Sequence, residues 1–190
     1  SMLDSDTFHK LSEIGKYCRQ GMGGANLRLA KWYDPILECG VVEPSPALAI
    51  QHYTVAAQRG NKFAQGCLGD SYLRGLEGVD SPSLSRAVYW FSRHFEGDLP
   101  ADKCFEIGSY LHHYGGQMRL SMYFWGVAAD LGHMYAQNDF GTCKLRQFLG
   151  QCTDPELMGG DPATYKQALD MWRMAAAQGS KMARQSYNLE

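Results

Sequence analysis

No stretch of eighteen consecutive apolar residues occurs in this sequence, so it offers no candidate for a membrane-spanning helix. Nor is there a C-x-x-C pair. The six cysteines stand singly at 18, 39, 67, 104, 143 and 152, which removes the usual spacing of a zinc knuckle or a thioredoxin-type redox site. A chain of 190 residues has core enough without disulfides, and the expectation is free, mostly buried thiols behaving as small hydrophobes. An excess of one sign of charge is missing too: 18 Lys+Arg stand against 20 Asp+Glu, a formal net charge of −2. Without a basic field, non-specific nucleic-acid binding is disfavoured. At 45% hydrophobic residues the chain is not intrinsically disordered. The first residues, Ser1 to Asp6, lack the apolar core of a signal peptide, and with the free thiols this points to the cytoplasm. Ser1 ahead of Met2 has the look of a residue left by tag removal, which leaves a periplasmic or secreted origin open if a leader was cut away.

What is present is an internal repeat. One phrase runs alanine, three residues, an apolar residue, usually glycine, then often tyrosine. It occurs as Ala25, Leu29, Ala30, Tyr33 and as Ala64, Leu68, Gly69, Tyr72. Further copies read Lys103, Ile107, Gly108, Leu111 and Ala136, Phe140, Gly141, Lys144, and Ala183 to Tyr187 begins a fifth. The steps from Leu29 to Leu68, Ile107, Phe140 and Tyr187 are 39, 39, 33 and 47 residues.

A second phrase alternates with the first: Ala49, Tyr53, Ala56, Ala57, Gly60; Ala87, Trp90, Phe91, Gly97; Ser121, Trp125, Ala128, Ala129, Gly132; Ala168, Trp172, Ala175, Ala176, Gly179. Offsets of 3, 4 and 7 put the apolar and small residues of each phrase on one helical face. Each pair of phrases therefore predicts an antiparallel helical hairpin. Ser45-Pro46, Ser81-Pro82 and Asp161-Pro162 predict N-caps followed by proline in the first turn. Gly60, Gly97, Gly132 and Gly179 are expected to close the second helices in the left-handed conformation. No segment has a period-2 strand pattern, and one hairpin cannot bury its own apolar face, so the hairpins must stack. The predicted fold is all-α, a right-handed α-α superhelix (solenoid) of stacked antiparallel hairpins forming a single domain over 1–190. Its units are a partial leading unit at 8–24, hairpins at 25–60, 64–97, 101–132 and 136–179, and the start of a terminal helix at 181–190.

On these residues the sequence resembles the Sel1-like repeat family, a relative of the tetratricopeptide repeats, over roughly 8–190. The second unit carries the family phrase best, through Leu68-Gly69, Tyr72, Gly75, Gly78-Val79, Ala87 and Trp90-Phe91. Departures are the short loop at His112–Gly116, Lys103 in place of alanine, Lys144 in place of tyrosine, and the long loop from Leu145 to Gly160. The resemblance implies a non-catalytic adaptor or scaffold that binds a partner protein or peptide on the concave face of the solenoid and needs no cofactor. By analogy with tetratricopeptide repeats, that face takes Leu27, Lys31, Asp34 and Pro35 from the first unit and Gly66, Asp70, Leu73 and Arg74 from the second. The third unit adds Phe105, Ser109, His112 and His113, and the fourth Asn138, Thr142, Leu145 and Arg146. Neutralisation of a toxin or effector by the same face is the second binding reading, and self-association through the terminal helix is a further expectation.

Other constellations are weighed against plainer readings. Adjacent His112 and His113 point about 100° apart on a helix and do not converge on one ion, so no metal site is expected. A Cys/His hydrolase lacks any strand-turn-helix elbow and is the least supported alternative. Met118, Met122, Met134, Met171 and Met174 fall at helical spacing and are expected in the core. The glycine runs at 21–24 and 159–160 do not follow strands and read as turns. The insertion Asp154 to Gly160 reads as a spacer.

Overall fold

The computed structural model describes residues 13, 23–35, 37, 42–76, 78–152 and 154–187. Most of the expected leading unit lies outside them, as do Cys18, Cys39 and the last three residues. Every regular element among the described residues is helical. The chain divides into two compact units, 1–98 and 99–190, at the junction between the second and third hairpins of the sequence. The first unit carries α1 (Gly23–Tyr33), α2 (Pro46–Gln58), α3 (Lys62–Arg74) and α4 (Leu84–Phe95). The second carries α5 (Ala101–His113), α6 (Met118–Asp130), α7 (Met134–Phe148), a 3-10 turn (Pro155–Leu157), α8 (Pro162–Ala177) and α9 (Lys181–Tyr187). Within each unit, each helix packs on its neighbours in sequence, most closely as the pairs α1–α2, α3–α4, α5–α6 and α7–α8.

The glycines of the first phrase explain this closeness. A Cβ on Gly108 would stand 2.6 Å from Trp125 Cδ1, one on Gly141 3.0 Å from Trp172 Cδ1, and one on Gly69 would enter the Phe91 ring. Each first helix thus leaves a bare patch of backbone into which the aromatic of its own second helix sinks. Phe91, Trp125 and Trp172 are buried as a result, each stabilising its hairpin by about 1.5–3 kcal/mol of apolar transfer.

Successive hairpins are clipped by a device that the sequence reading missed. Gln65 Nε2 donates to Ala57 O at 3.0 Å, and Gln137 Nε2 donates to Ala129 O at 3.1 Å. Arg184, at the same repeat position, donates Nε to Ala176 O at 3.4 Å. Each side chain reaches back to the end of the preceding second helix, whose last carbonyls lack helical partners. Both glutamines are almost wholly buried.

Capping follows expectation at Ser45 and Asp161, whose side chains accept from Leu48 N–H at 3.5 Å and Thr164 N–H at 2.8 Å. It departs at Ser81. The cap of α4 is Ser83, which accepts from Arg86 N–H at 3.4 Å. Pro82 instead lies against Gly75, whose φ of 64° closes α3 and where a Cβ would meet Pro82 Cγ at 2.5 Å. The left-handed residue ending α4 is likewise Glu96 (φ 63°), one residue before the expected Gly97. Glu96 reaches Lys62 Nζ at 2.7 Å, an ion pair that ties the end of α4 to the start of α3.

Three further expectations are corrected or refined. Gly23 and Gly24 are the first residues of α1 and not a turn. Met174 is 43% exposed, whereas Met122 is buried and Met118 and Met134 pack against the core clusters of the second unit. The insertion is pinned to the second unit. Asp154 caps its 3-10 turn by accepting from Glu156 N–H at 3.0 Å, Leu157 packs against the Met122–Trp125–Cys143 cluster, and Glu156 pairs with Arg119. No described helix is long and apolar enough to cross a membrane.

Candidate functional site

In the first unit, α1 ends at Tyr33 and the chain turns at Asp34-Pro35. Tyr33 O accepts from Ser45 N–H at 2.8 Å, which fixes the end of α1 against the start of α2, and Tyr72 O accepts from Ser83 N–H at 2.8 Å in the next hairpin. The connection after α3 folds back until Gly78 touches the Pro46 carbonyl, an approach only a residue without Cβ allows. These constraints leave a cleft of about 350 Å³ lined by α2, α3 and the connections that follow α1 and α3. Its walls are apolar, from Leu37, Ile50, Phe63 and Leu76, and its polar groups are Asp34, Tyr53, Cys67, Asp70 and Ser71. Two large apolar side chains stand at the mouth with substantial exposure, Leu37 at 41% and Phe63 at 45%.

Tyr53, 2% exposed, donates its hydroxyl to Asp34 Oδ2 at 2.8 Å. Burial first, and then this bond, push the phenol well above its ordinary range, so it stays a donor. Burial also pushes the Cys67 thiol up to about 11, opposed by the hydrogen bond with Tyr53. Asp34 and Asp70 raise it further and Lys31 lowers it, so all three charges act on this one sulfur. The Lys31 ammonium lies 4.4 Å from the centroid of the Phe63 ring, on the rim.

At neutral pH Cys67 is therefore a thiol and not a thiolate. The same cause raises Cys104, Cys143 (to about 11) and Cys152. Nucleophilic cysteine chemistry needs the opposite shift, and none of these four thiols shows it. No group of three or more His, Cys, Asp or Glu that could hold a metal ion occurs among the described residues.

Of the residues expected on a binding face, Asp34, Pro35 and Asp70 line this cleft, and Lys31 lies over its Phe63 wall. Leu73 does not join them: it is 4% exposed, an apolar residue of the core. Arg74, the last residue of α3, is exposed and is not part of the cleft lining.

In the second unit several expected contacts are spent within the fold. Ser109 Oγ accepts from Trp125 Nε1 at 3.2 Å. Thr142 Oγ1 donates to Asn138 O at 2.9 Å, and Trp172 Nε1 donates to the same carbonyl at 3.3 Å. Asn138 itself is buried, its amide donating to Asp139 Oδ1 at 3.1 Å. Phe105 is half-buried, packed against the Met122 cluster and stacked on His133 at 4.3 Å. Of these four positions, Ser109 and Phe105 reach neighbouring elements with their side chains and Asn138 with its backbone carbonyl, while the Thr142 hydroxyl and the Asn138 amide bond within their own helix. His113 and Arg146 are exposed. His112 is half-buried with its ring 5.1 Å from Trp125, and burial, then His113, hold its pKa down. A second, more open hollow of about 530 Å³ lies beside Gln117–Leu120, Tyr123 and Asp154 and includes none of the expected residues.

The cleft residues that the sequence analysis did not name are Leu37, Ile50, Phe63, Ser71 and Leu76; Tyr53 was named only as part of the second phrase and Cys67 only among the single cysteines. One signal was available. At the position of Phe91, Trp125 and Trp172 stands Tyr53, and at that of the glycines 69, 108 and 141 stands Ala30. The first hairpin departs from the others where the cleft opens.

No protein-family model matches the sequence, and no curated protein matches it. Solved structures similar to it include a protective antigen of uropathogenic Escherichia coli with an SLR fold, at 24% identity and a TM-score of 0.46 over 93% of this chain and 35% of that one. A Sel1 repeat protein from Oxalobacter formigenes is similar at 20% identity and a TM-score of 0.46, over 93% of this chain and 65% of that one. An immunity protein from Pseudomonas aeruginosa is similar at 16% identity and a TM-score of 0.29, over 96% of this chain and 70% of that one. The chain thus spans less than two thirds of the length of the first two. The described residues are all-α, built of helical hairpins, and the repeated phrase that forms those hairpins resembles that of the Sel1-like repeats.

Proposed function

We propose that the protein is a non-catalytic interaction module that holds a segment of a partner protein in the cleft between α2, α3 and the connection after α1. The observation that carries this reading is the cleft itself, apolar in its walls, with a few convergent polar groups and with Leu37 and Phe63 held open at its mouth. Concave apolar sites with sparse, placed polar groups are the usual form of a binding site. The raised thiols supply no nucleophile there, so the polar groups serve to orient a ligand and not to attack it.

The test is a random-peptide display selection on the full chain, followed by affinity measurement on Phe63→Ala. Phe63 is 45% exposed, so its truncation removes a wall of the cleft without opening the core. A loss of about tenfold or more in affinity is expected, as for an aromatic at a contact centre. The melting temperature should stay within about 2 °C. Selected peptides that bind the variant as tightly as the parent would overturn the reading.

A further inference from the structure

We propose that the outer face of α6 is a self-association surface, on which a second copy of this chain docks its own α6 in antiparallel register. The proposal goes beyond the cleft reading and uses none of its residues. On the outer side of α6, Leu120, Tyr123 and Leu131 are all exposed, Tyr123 at 64%, and Val127 is half-buried among them. Counted from Trp125, the ring that sinks onto Gly108, they stand at −5, −2, +6 and +2. At positions −5, −2, +2 and +6 from Phe91, α4 and its end carry Arg86, Tyr89, Arg93 and Gly97. From Trp172, α8 and its end carry Gln167, Asp170, Met174 and Gln178. Thus α6 turns outward an apolar row where its sister helices carry mostly charged or polar residues. Single exposed apolar residues are ordinary, whereas a contiguous row marks an interaction surface.

The arrangement of the row points to its occupant. At about 100° per residue, Leu120, Val127 and Leu131 run along one edge of the outer face and Arg119 and Asp130 along the other, with Tyr123 between. A two-fold axis across the middle of the helix reverses its direction and keeps each edge on its own side. Under it, Leu120 meets the second copy's Leu131, Tyr123 meets Val127 and Arg119 meets Asp130, and each pair occurs twice. The row is therefore complementary to itself, as a closed two-fold contact requires. The hollow of about 530 Å³ at the start of α6 has Leu120 and Tyr123 in its lining, and there it receives the second copy's Leu131.

The charges agree with that direction. Asp130 is the last residue of α6, the end at which a carboxylate is disfavoured, and Gln117 begins the helix with no side-chain cap bond. Antiparallel pairing sets each Asp130 against Arg119 and the uncapped first turn of the other copy. Arg119 already pairs with Glu156, and Asp154 lies beside it in the lining of the hollow. These acids offset much of the gain from Asp130, so the apolar pairs hold the contact and the charges orient it. One helical face per copy is a small contact, below about 1,200 Å² in total, and suits a weak, reversible dimer.

The experiment is sedimentation velocity on the full chain from about 10 μM to about 1 mM. The parent should pass from monomer to dimer across that range. Tyr123→Arg changes an exposed side chain and should weaken the dimer at least about tenfold, with helical circular dichroism unchanged. Leu120→Lys and Leu131→Glu should each weaken self-association, and mixing the two variants should restore it, because the introduced charges meet only in antiparallel register. Met182→Arg, on the exposed side of α9, should dimerise as the parent does. A parent that stays monomeric up to about 1 mM would overturn the proposal. So would a dimer that survives Tyr123→Arg, one lost on Met182→Arg, or a mixture as weak as its two components.

Discussion

At the position where α4, α6 and α8 each sink an aromatic ring onto a glycine, the first hairpin carries Tyr53 and Ala30, both within one buried cluster. In the second unit the rings are indoles, and their N–H groups finish inside the hairpin, on Ser109 Oγ and on Asn138 O. Tyr53 is longer and ends in a hydroxyl, which reaches past the hairpin seam to Asp34 at the edge of the cleft. The same repeat position thus closes a hairpin in one unit and furnishes a site in the other. A repeat protein can place a binding site by changing which aromatic fills a shared slot.

Exchanging the small residue of that slot in opposite directions should separate the two regions most strongly. Gly108→Ala puts a Cβ 2.6 Å from the Trp125 ring and should cost about 2–3 kcal/mol or more through overpacking. Ala30→Gly relieves no contact and should cost only about 1 kcal/mol, the helix propensity of glycine. Denaturant unfolding of the two variants reads the difference, and equal losses would break the comparison.

A smaller effect concerns the polar end of the ring. Tyr53→Phe removes the bond to Asp34 and should lower stability by about 1 kcal/mol. Trp125→Phe removes the bond to Ser109 and also leaves part of a buried slot empty, and should cost more, about 2 kcal/mol. Unfolding midpoints that rank the other way would mean that the tyrosine, and not the indole, is the main brace.

The smallest effect concerns the residue just before the apolar position of the first phrase, which is Cys67 in the cleft and Asp139 in the second unit. Burial raises the Asp139 pKa, opposed by its bond from Asn138 and by His112, His113 and His133. A carboxyl raised on folding contributes stability that is full below its unfolded value and is lost as pH rises through its folded value. Asp139→Asn should therefore flatten the acid side of the stability profile and gain slightly at neutral pH. A variant that loses more stability at pH 7 than at pH 4 would contradict that sign.

Much of the fold was legible because it rests on local chemistry. The Leu-Gly pairs, the Ala-Ala pairs and the caps at Ser45 and Asp161 each act within a few residues, and sequence spacing reports them directly. Ser83 took the cap from Ser81 because Pro82 was needed against Gly75, a contact seven residues away that no local pattern shows. The clips from Gln65 and Gln137 were hidden for a similar reason. An alanine followed by glutamine reads as an exposed helix start until the preceding helix end is laid beside it.

The candidate site was legible only in its charges. Asp34 and Asp70 followed from counting along the first helices. Tyr53, on the second helix, was expected on the apolar packing face. Ser109, Thr142 and Asn138 were expected at a surface because the offsets assume that a first helix turns one whole face outward. In the second unit Ser109 Oγ and the Asn138 carbonyl take the indole N–H groups, and the Thr142 hydroxyl turns back onto its own helix. The departure of Ala30 and Tyr53 from the repeat was the visible trace of the cleft, and it becomes meaningful only once the other hairpins show what the slot normally does.

The most direct measurement is a titration of the 15N-labelled full chain with the display-selected peptide, followed by 15N–1H correlation spectra. The account predicts that the amide shifts gather at Asp34, Ile50, Tyr53, Phe63, Asp70 and Leu76. Shifts gathered instead around His113 and Arg146 in the second unit, with the first unit unperturbed, would contradict it.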